Sequence, residues 1–257
     1  MFDEISASGL ALLGLLVFVA GIVDSLAGGG GLITLPAYLA AGLNPALVLG
    51  TNKLASSLGT IVSSFRYQRA VKLEAAVVLP ALAASLIGSF GGARLALILD
   101  PALLRPILLG VLPVVAYLVL AGTALRPKSG AEPLSPREVA ARASAVSLPI
   151  GCYDGFFGPG TGTFFAIAFS RLCRWDLLQA TAAAKILNLV SNLAALAAFL
   201  AAGRVHLALG LAMGALSVAG NAVGSGLGIR KGSAAIRPFL AAVCVALFLK
   251  VLADFLR

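Results

Sequence analysis

Apolar residues run along this chain in stretches of about 20. Each is long enough to cross a hydrocarbon core, and there are too many of them for the buried helices of one soluble domain. The pattern predicts a short helix over 7–23, a glycine-rich break over 24–31 and a second short helix over 32–43, followed by longer helices at 46–65, 74–98 and 103–125. The order then repeats: a short helix at 143–153, a break at 154–162, a short helix at 163–173, and longer helices at 177–202, 207–229 and 237–256. Between the two sets, 126–142 carries Pro127, Pro133, Pro136 and four basic residues, as a linker does.

The repetition extends to single residues, at an offset of 130 to 136. Gly21–Gly30 lies over Gly151–Gly160, Lys53 over Lys185, Val71-Lys72-Leu73 over Val205-His206-Leu207, and Gly88, Gly92 and Arg94 over Gly224, Gly228 and Arg230. Arg105-Pro106 falls on Arg237-Pro238. The expected organisation is an N-terminal repeat (1–125), a linker (126–142) and a C-terminal repeat (143–257). A broken hairpin returns the chain to its starting side whether it spans fully or is re-entrant. Three helices then make each unit cross an odd number of times, which inverts the second copy relative to the first, as in many secondary transporters. The expected fold is therefore an all-α polytopic membrane protein of two inverted repeats, each a glycine-broken hairpin plus three transmembrane helices.

Charge supports the inversion. Under that parity Arg66, Arg69, Lys72, Arg126, Lys128, Arg137, Arg142, Arg171, Arg174, Arg230, Lys231 and Arg237, twelve basic residues, share one side and five lie on the other. One crossing per hairpin would split the same residues ten to seven, so the positive-inside rule favours inversion, with the linker cytoplasmic and both termini external. The composition agrees: 60% of the 257 residues are hydrophobic and 11% charged, against about 25% in soluble domains. The net charge of +9 reads as a topology signal and leaves a lipid surface or an anionic solute as partner, with no nucleic acid. Met1-Phe2-Asp3-Glu4 lacks the basic start of a signal peptide, so the first apolar run is expected to stay.

Cys152, Cys173 and Cys244 have no metal-ligand spacing, and neither a metal nor a cofactor is expected. The chemistry lies in the breaks. Asp24 and the glycines Gly28, Gly29, Gly30 and Gly31 open the backbone in mid-hydrophobic sequence, which hydrocarbon does not tolerate unless the segment lies within protein or lines a cavity. The helix that follows presents free N–H groups and a positive dipole end, both suited to an anion. Asp154, Gly158, Gly160, Thr161 and Gly162 repeat the device, with Thr161 and Thr163 as candidate donors. The plainer reading is a tight turn that lets helices pack closely. Ala84, Gly88 and Gly92, and Gly220, Gly224 and Gly228, read as small-residue ridges.

A lysine inside an apolar helix costs about 2.5–3.5 kcal/mol or more and requires compensation. Lys53 shares a helical face with Ser56, Ser57 and Thr60, and Lys185 with Asn188 and Asn192. Each lysine is either a neutral strut with Asp24 or Asp154 or the counter-charge of a substrate anion. The two roles combine if substrate displaces the carboxylate, or if an aspartate takes up a proton as coupling ion. Asn52 is expected to pack locally, His206 to sit solvated in an external loop, and Tyr67 and Trp175 to anchor at the interface.

Asp24–Pro36 (DSLAGGGGLITLP), Gly50-Thr51-Asn52-Lys53, and Asp154–Gly162 (DGFFGPGTG) with Lys185-Ile186-Leu187-Asn188 resemble the sulfite exporter TauE/SafE family over nearly the whole chain. The resemblance implies a bacterial inner-membrane permease for sulfite, sulfonates or related anions. The expected function is thus a secondary transporter of a small anion working by alternating access, not an enzyme, and compatible with a homo-oligomer. Two rivals are a non-transporting membrane subunit and an intramembrane aspartyl protease. The second is disfavoured because each aspartate is expected to open a glycine turn and no Gly-x-Gly-Asp motif is present.

Overall fold

The computed structural model describes residues 6–103, 106, 107, 110 and 134–231, and these form α-helices, one 3-10 turn at Pro101–Leu103, and loops. In the first half α1 is Ala7–Ala27, α2 Gly31–Ala40, α3 Pro45–Ala70 and α4 Ala75–Ile98; in the second α5 is Pro136–Phe156, α6 Thr161–Leu172, α7 Leu177–Ala201 and α8 Leu207–Lys231. The helices expected at 103–125 and 237–256 lie almost wholly outside the described residues.

Four helices, α1, α4, α7 and α8, are long and apolar enough to cross a membrane, so the chain is a multi-pass membrane protein. α3 is as long as these, but Asn52, Lys53, Ser57, Thr60, Ser63 and Ser64 lower its hydropathy, and all six are buried inside the bundle. Leu79, Ile87, Leu95 and Ile98 on α4 face outward, as lipid-facing side chains do.

Local chemistry sets the boundaries. Ser6 caps α1, Asn44 caps α3 with Pro45 in its first turn, and Asp176 accepts from Leu178 and Gln179 at the start of α7. Ser135 and Glu138 form a capping box with Pro136 in the first turn, so α5 begins seven residues before the expected helix and takes up the end of the expected linker. Both first helices also run further than expected, because apolar packing carries the helical hydrogen bonding through Asp24 to Ala27 and through Asp154 to Phe156. The breaks shrink to Gly28–Gly30 and Phe157–Gly160, and the aspartates occupy the last helical turn instead of opening the loop.

Packing exchanges the halves. α1 lies most extensively on α8, and α5 on α4. Along α1 and α8, Gly21 meets Ser217 and Gly220, Ser25 meets Gly224, and Leu26 meets Gly228; along α4 and α5, Gly88 meets Leu148 and Gly92 meets Cys152 and Phe156. Numbers rise together in both sets, so each pair runs in the same direction. By the same criterion α3 runs with α8 (Leu54 to Gly210, Leu58 to Gly214, Tyr67 to Gly228) and α4 with α7 (Ser85 to Leu187, Ser89 to Ser191). α3 and α7 run opposite ways, since Lys53 meets Asn192, Ser64 meets Lys185 and Gln68 meets Ala182.

These directions bring the ends of α3, α6 and α8 and the starts of α4, α5 and α7 to one end of the bundle, which carries Arg66, Arg69, Lys72, Arg137, Arg142, Arg171, Arg174, Arg230 and Lys231. Arg142 donates to the Leu172 carbonyl (3.1 Å) and Arg66 to the Ala222 carbonyl. A cluster of Val77, Val139, Phe169, Cys173 and Ala180 fills that end, and clusters around Leu13, Tyr38 and Leu209 and around Ala93 and Phe199 fill the other.

Two expectations change at the surface. Tyr67 is fully buried against Gly228 instead of anchoring at the interface, because the glycine leaves a space that only a large side chain fills. His206 is half-buried, and its Nδ1 accepts a hydrogen bond from the Leu209 N–H (3.2 Å), so it caps α8 instead of sitting free in solvent. Trp175 packs against Phe169.

The small-residue ridges predict a test. A Cβ at Gly92 would collide with the Cys152 carbonyl, a backbone atom with no freedom to give. Gly92→Val is expected to cost more than the usual overpacking penalty of about 1–3 kcal/mol and to lower the Tm in detergent by several degrees, whereas Gly91→Val, at a position open on all sides, leaves it unchanged.

Candidate functional site

The two glycine turns meet in the interior. Gly28, with φ of 77°, ends α1 and donates to the Asp24 carbonyl at 2.6 Å. A side chain there would collide with Gly162 at the start of α6, and one at Gly31 would press on Pro159. Thr163 Oγ1 donates to the Ala27 carbonyl and ties one turn to the other. Neither α2 nor α6 has a side chain capping its N-terminus. Gly28, Gly29, Gly30, Gly160, Thr161 and Gly162 are buried, and Gly31 and Gly158 are partly so. The Thr161 hydroxyl donates to the Gly158 carbonyl (2.7 Å) and serves its own turn, while the Tyr153 hydroxyl donates to Pro159 O (2.7 Å) and braces it.

Around these turns the intramembrane charges pair across the halves. Lys53 Nζ lies 2.8 Å from Asp154 Oδ2 and donates to Asn192 Oδ1 at 2.8 Å. Lys185 Nζ lies 3.7 Å from Asp24 Oδ2 and donates to the Asp24 backbone carbonyl. Both lysines are at most 3% exposed, so pairing, not water, compensates them. Each ammonium from one half therefore faces the carboxylate of the other.

The pairs sit at different levels of α3. Asp154 is level with Lys53, whereas Thr60 donates to Asp24 Oδ2 at 3.5 Å and Ser64 donates to the Lys185 carbonyl at 2.9 Å. The separation is about 10–16 Å of helix. Between them, at matching heights on the antiparallel α3 and α7, stand Ser57 and Asn188, 2% and 5% exposed. Ser57 Oγ is buried with no hydrogen-bond partner among the described residues, an arrangement that a bound polar group would complete. Ser56 is only half-buried, on the margin of the lysine stripe.

Other polar groups support this centre. Ser191 donates to Asp154 Oδ2 at 2.6 Å, Ser89 donates to the Ser191 carbonyl at 2.5 Å, and Thr34 donates to Asn52 Oδ1 at 2.6 Å, joining α2 to α3. Nothing local in the sequence marks Ser191 as a partner of Asp154, which lies in a distant helix; its place three residues beyond Asn188, on the same helical face, is the signal it carries. At the end away from the basic residues a cleft opens between α3, α4 and α7, with Arg204 and Asp100 at its walls and Phe156 and Phe157 lining it. One residue on from Phe157, a Cβ at Gly158 would stand 3.1 Å from Lys53 Nζ, so the chain segment that lines the cleft continues to the Lys53–Asp154 pair. Among the described residues no group of three or more His, Cys, Asp or Glu is arranged to hold a metal ion.

Comparison with known proteins agrees with a membrane transporter. The chain is 39% identical over 246 residues to "Probable membrane transporter protein ORF9" of Sinorhizobium sp, covering 95% of this chain and 93% of the relative. It is 38% identical over 257 residues to "Probable membrane transporter protein YfcA" of Escherichia coli K12, covering 98% and 94%. A "Probable membrane transporter protein" of Haemophilus influenzae is 36% identical over 252 residues, covering 98% and 97%. No solved structure matches. The profile of the family described as Sulfite exporter TauE/SafE matches residues 13–251, and the chain belongs to that family, one of transporters and not of enzymes.

Proposed function

We propose that the protein is a secondary transporter of the bacterial inner membrane that moves a small anion, a sulfur oxyanion or organosulfonate, by alternating access between two inverted repeats. The observation that carries this reading is the crossed pairing of Lys53 with Asp154 and Lys185 with Asp24 beside two touching backbone breaks. Two ammonium groups and two helix N-termini without side-chain caps offer positive charge in a low-dielectric interior, where the attraction between opposite charges is stronger than in water and offsets the anion's loss of hydration. The helix directions support inversion: α1 and α3 run one way and α4 the other, while α5 and α7 run against their counterparts and α8 against α4. Units that run oppositely, each holding the other's counter-ion, can rock about a shared centre and open it to alternate sides.

The anion binds between Ser57 and Asn188, with Lys53, Lys185, Asn192, Thr60 and the turns of Gly28–Gly31 and Gly158–Gly162 around it. The cleft ending at Phe157 is the approach from the side opposite the basic residues. Proton uptake by Asp24 or Asp154, when substrate takes a lysine, supplies a route for coupling. The sulfur chemistry comes from the family description alone, and the crossed charges would serve any compact anion.

Proteoliposomes test the site directly. Lys53→Ala and Lys185→Ala are each expected to lower uptake of labelled sulfite at least tenfold, and Ser57→Ala to raise KM severalfold with little change in Tm. Wild-type rates in both lysine variants would remove the assignment. Orientation is checked with reporters. An alkaline phosphatase fusion after Arg257 is expected to be active and a green fluorescent protein fusion dark, with the reverse for insertions at Ser129; the opposite pattern would invert the topology proposed here.

A further inference from the structure

The two ion pairs occupy matching places in the repeats but are built unequally. Asp154 is held by Lys53 at 2.8 Å and by Ser191 at 2.6 Å, and its side chain is 2% exposed. Asp24 lies 3.7 Å from Lys185 and 3.5 Å from the Thr60 hydroxyl, and its side chain is 14% exposed. The first set of distances is that of short, charge-assisted hydrogen bonds; the second is beyond or at the limit of hydrogen bonding. Lys185 is not loosely placed, because it donates to the Asp24 main-chain carbonyl. That contact survives any movement of the Asp24 side chain, so the ammonium stays in position when the carboxylate turns away.

From this inequality we infer that Asp24 is the exchangeable carboxylate. The transported anion displaces it from Lys185, while Lys53 and Asp154 remain paired through the cycle as a fixed strut between the halves. The inference rests on the transport reading above and divides its two lysines: Lys185 meets the substrate oxygens, and Lys53 acts as a positioning residue that holds the second glycine turn against α3. The surroundings favour the division. The strut is fastened on both members, by Asn192 on the lysine and Ser191 on the aspartate, and both fasteners come from α7. Among the described residues, the one side-chain hydrogen bond to the Asp24 carboxylate is the long one from Thr60.

Thiol chemistry separates the two carboxylates whatever the transported anion is. In protein with Cys152, Cys173 and Cys244 replaced by alanine, Asp24→Cys is expected to react with the anionic reagent 2-sulfonatoethyl methanethiosulfonate at least ten times faster than Asp154→Cys. Equal or reversed rates would overturn the inference. Independently, Asp24→Asn removes the competing carboxylate and is expected to tighten sulfite binding about tenfold with the Tm retained, whereas Asp154→Asn strands Lys53 and lowers the Tm by several degrees. That loss is restored in part by adding Lys53→Met. Weaker sulfite binding in Asp24→Asn, or a wild-type Tm in Asp154→Asn, counts against the division. Absence of sulfite binding in every form, with the labelling difference intact, removes sulfite as the substrate and leaves the exchangeable carboxylate standing.

Discussion

A lysine ammonium inside a bilayer cannot be left alone, and this fold is arranged around that constraint. Lys53 and Lys185 are almost entirely removed from solvent, and each finds its carboxylate in the other half of the chain. Removing one partner from a tightly held buried pair costs about 3–5 kcal/mol, so the Lys53–Asp154 contact acts as a charged bolt through the middle of the bundle. The carboxylates sit on the last turns of α1 and α5, the helices that end in the glycine breaks, so pairing the charges also brings the breaks together. Ion pairing, tip-to-tip packing and the buried stripe of α3 are thus one structural event.

The close approach of the helices is the second condition. Where α1 meets α8 and α4 meets α5, glycine and serine let main chains touch, which lipid alone would not drive. Serine hydroxyls on α4 donate to carbonyls of α7, so the small residues that permit close packing also find hydrogen-bond partners within it. Large apolar side chains such as Ile87 and Ile98 also point outward, as a bilayer requires of the surface it meets.

Much of this is legible in the residues. The doubled glycine motif, the two lysines and the ridges of small residues are local signals at fixed spacing, and each lies where its spacing implies. Other features depend on relations between distant elements. Which aspartate serves which lysine is decided by the exchange of α1 and α5 between halves, and both choices look alike in sequence. The helical ends at Ala27 and Phe156 were hidden because glycine and aspartate are poor helix formers, yet packing overrides that preference. Ser57 and Ser56 differ by one step of rotation about α3, too fine a distinction for a face drawn from spacing alone. Tyr67 beside arginine reads as an interfacial residue until Gly228, from the far half, is seen to leave room for it.

The exchange between halves also bears on how the chain is made. Asp154 emerges from the ribosome 101 residues after Lys53, and Lys185 follows Asp24 by 161. During synthesis the first hairpin stands with its backbone break uncovered, and Lys53 on the following α3 lacks its native counter-ion. The hairpin cannot mature as an autonomous module, since its packing surface, α8, is the last of the described helices to arrive. Assembly is consequently late: before α5, α7 and α8 arrive, neither buried ion pair and neither of the long helix contacts between the halves can form.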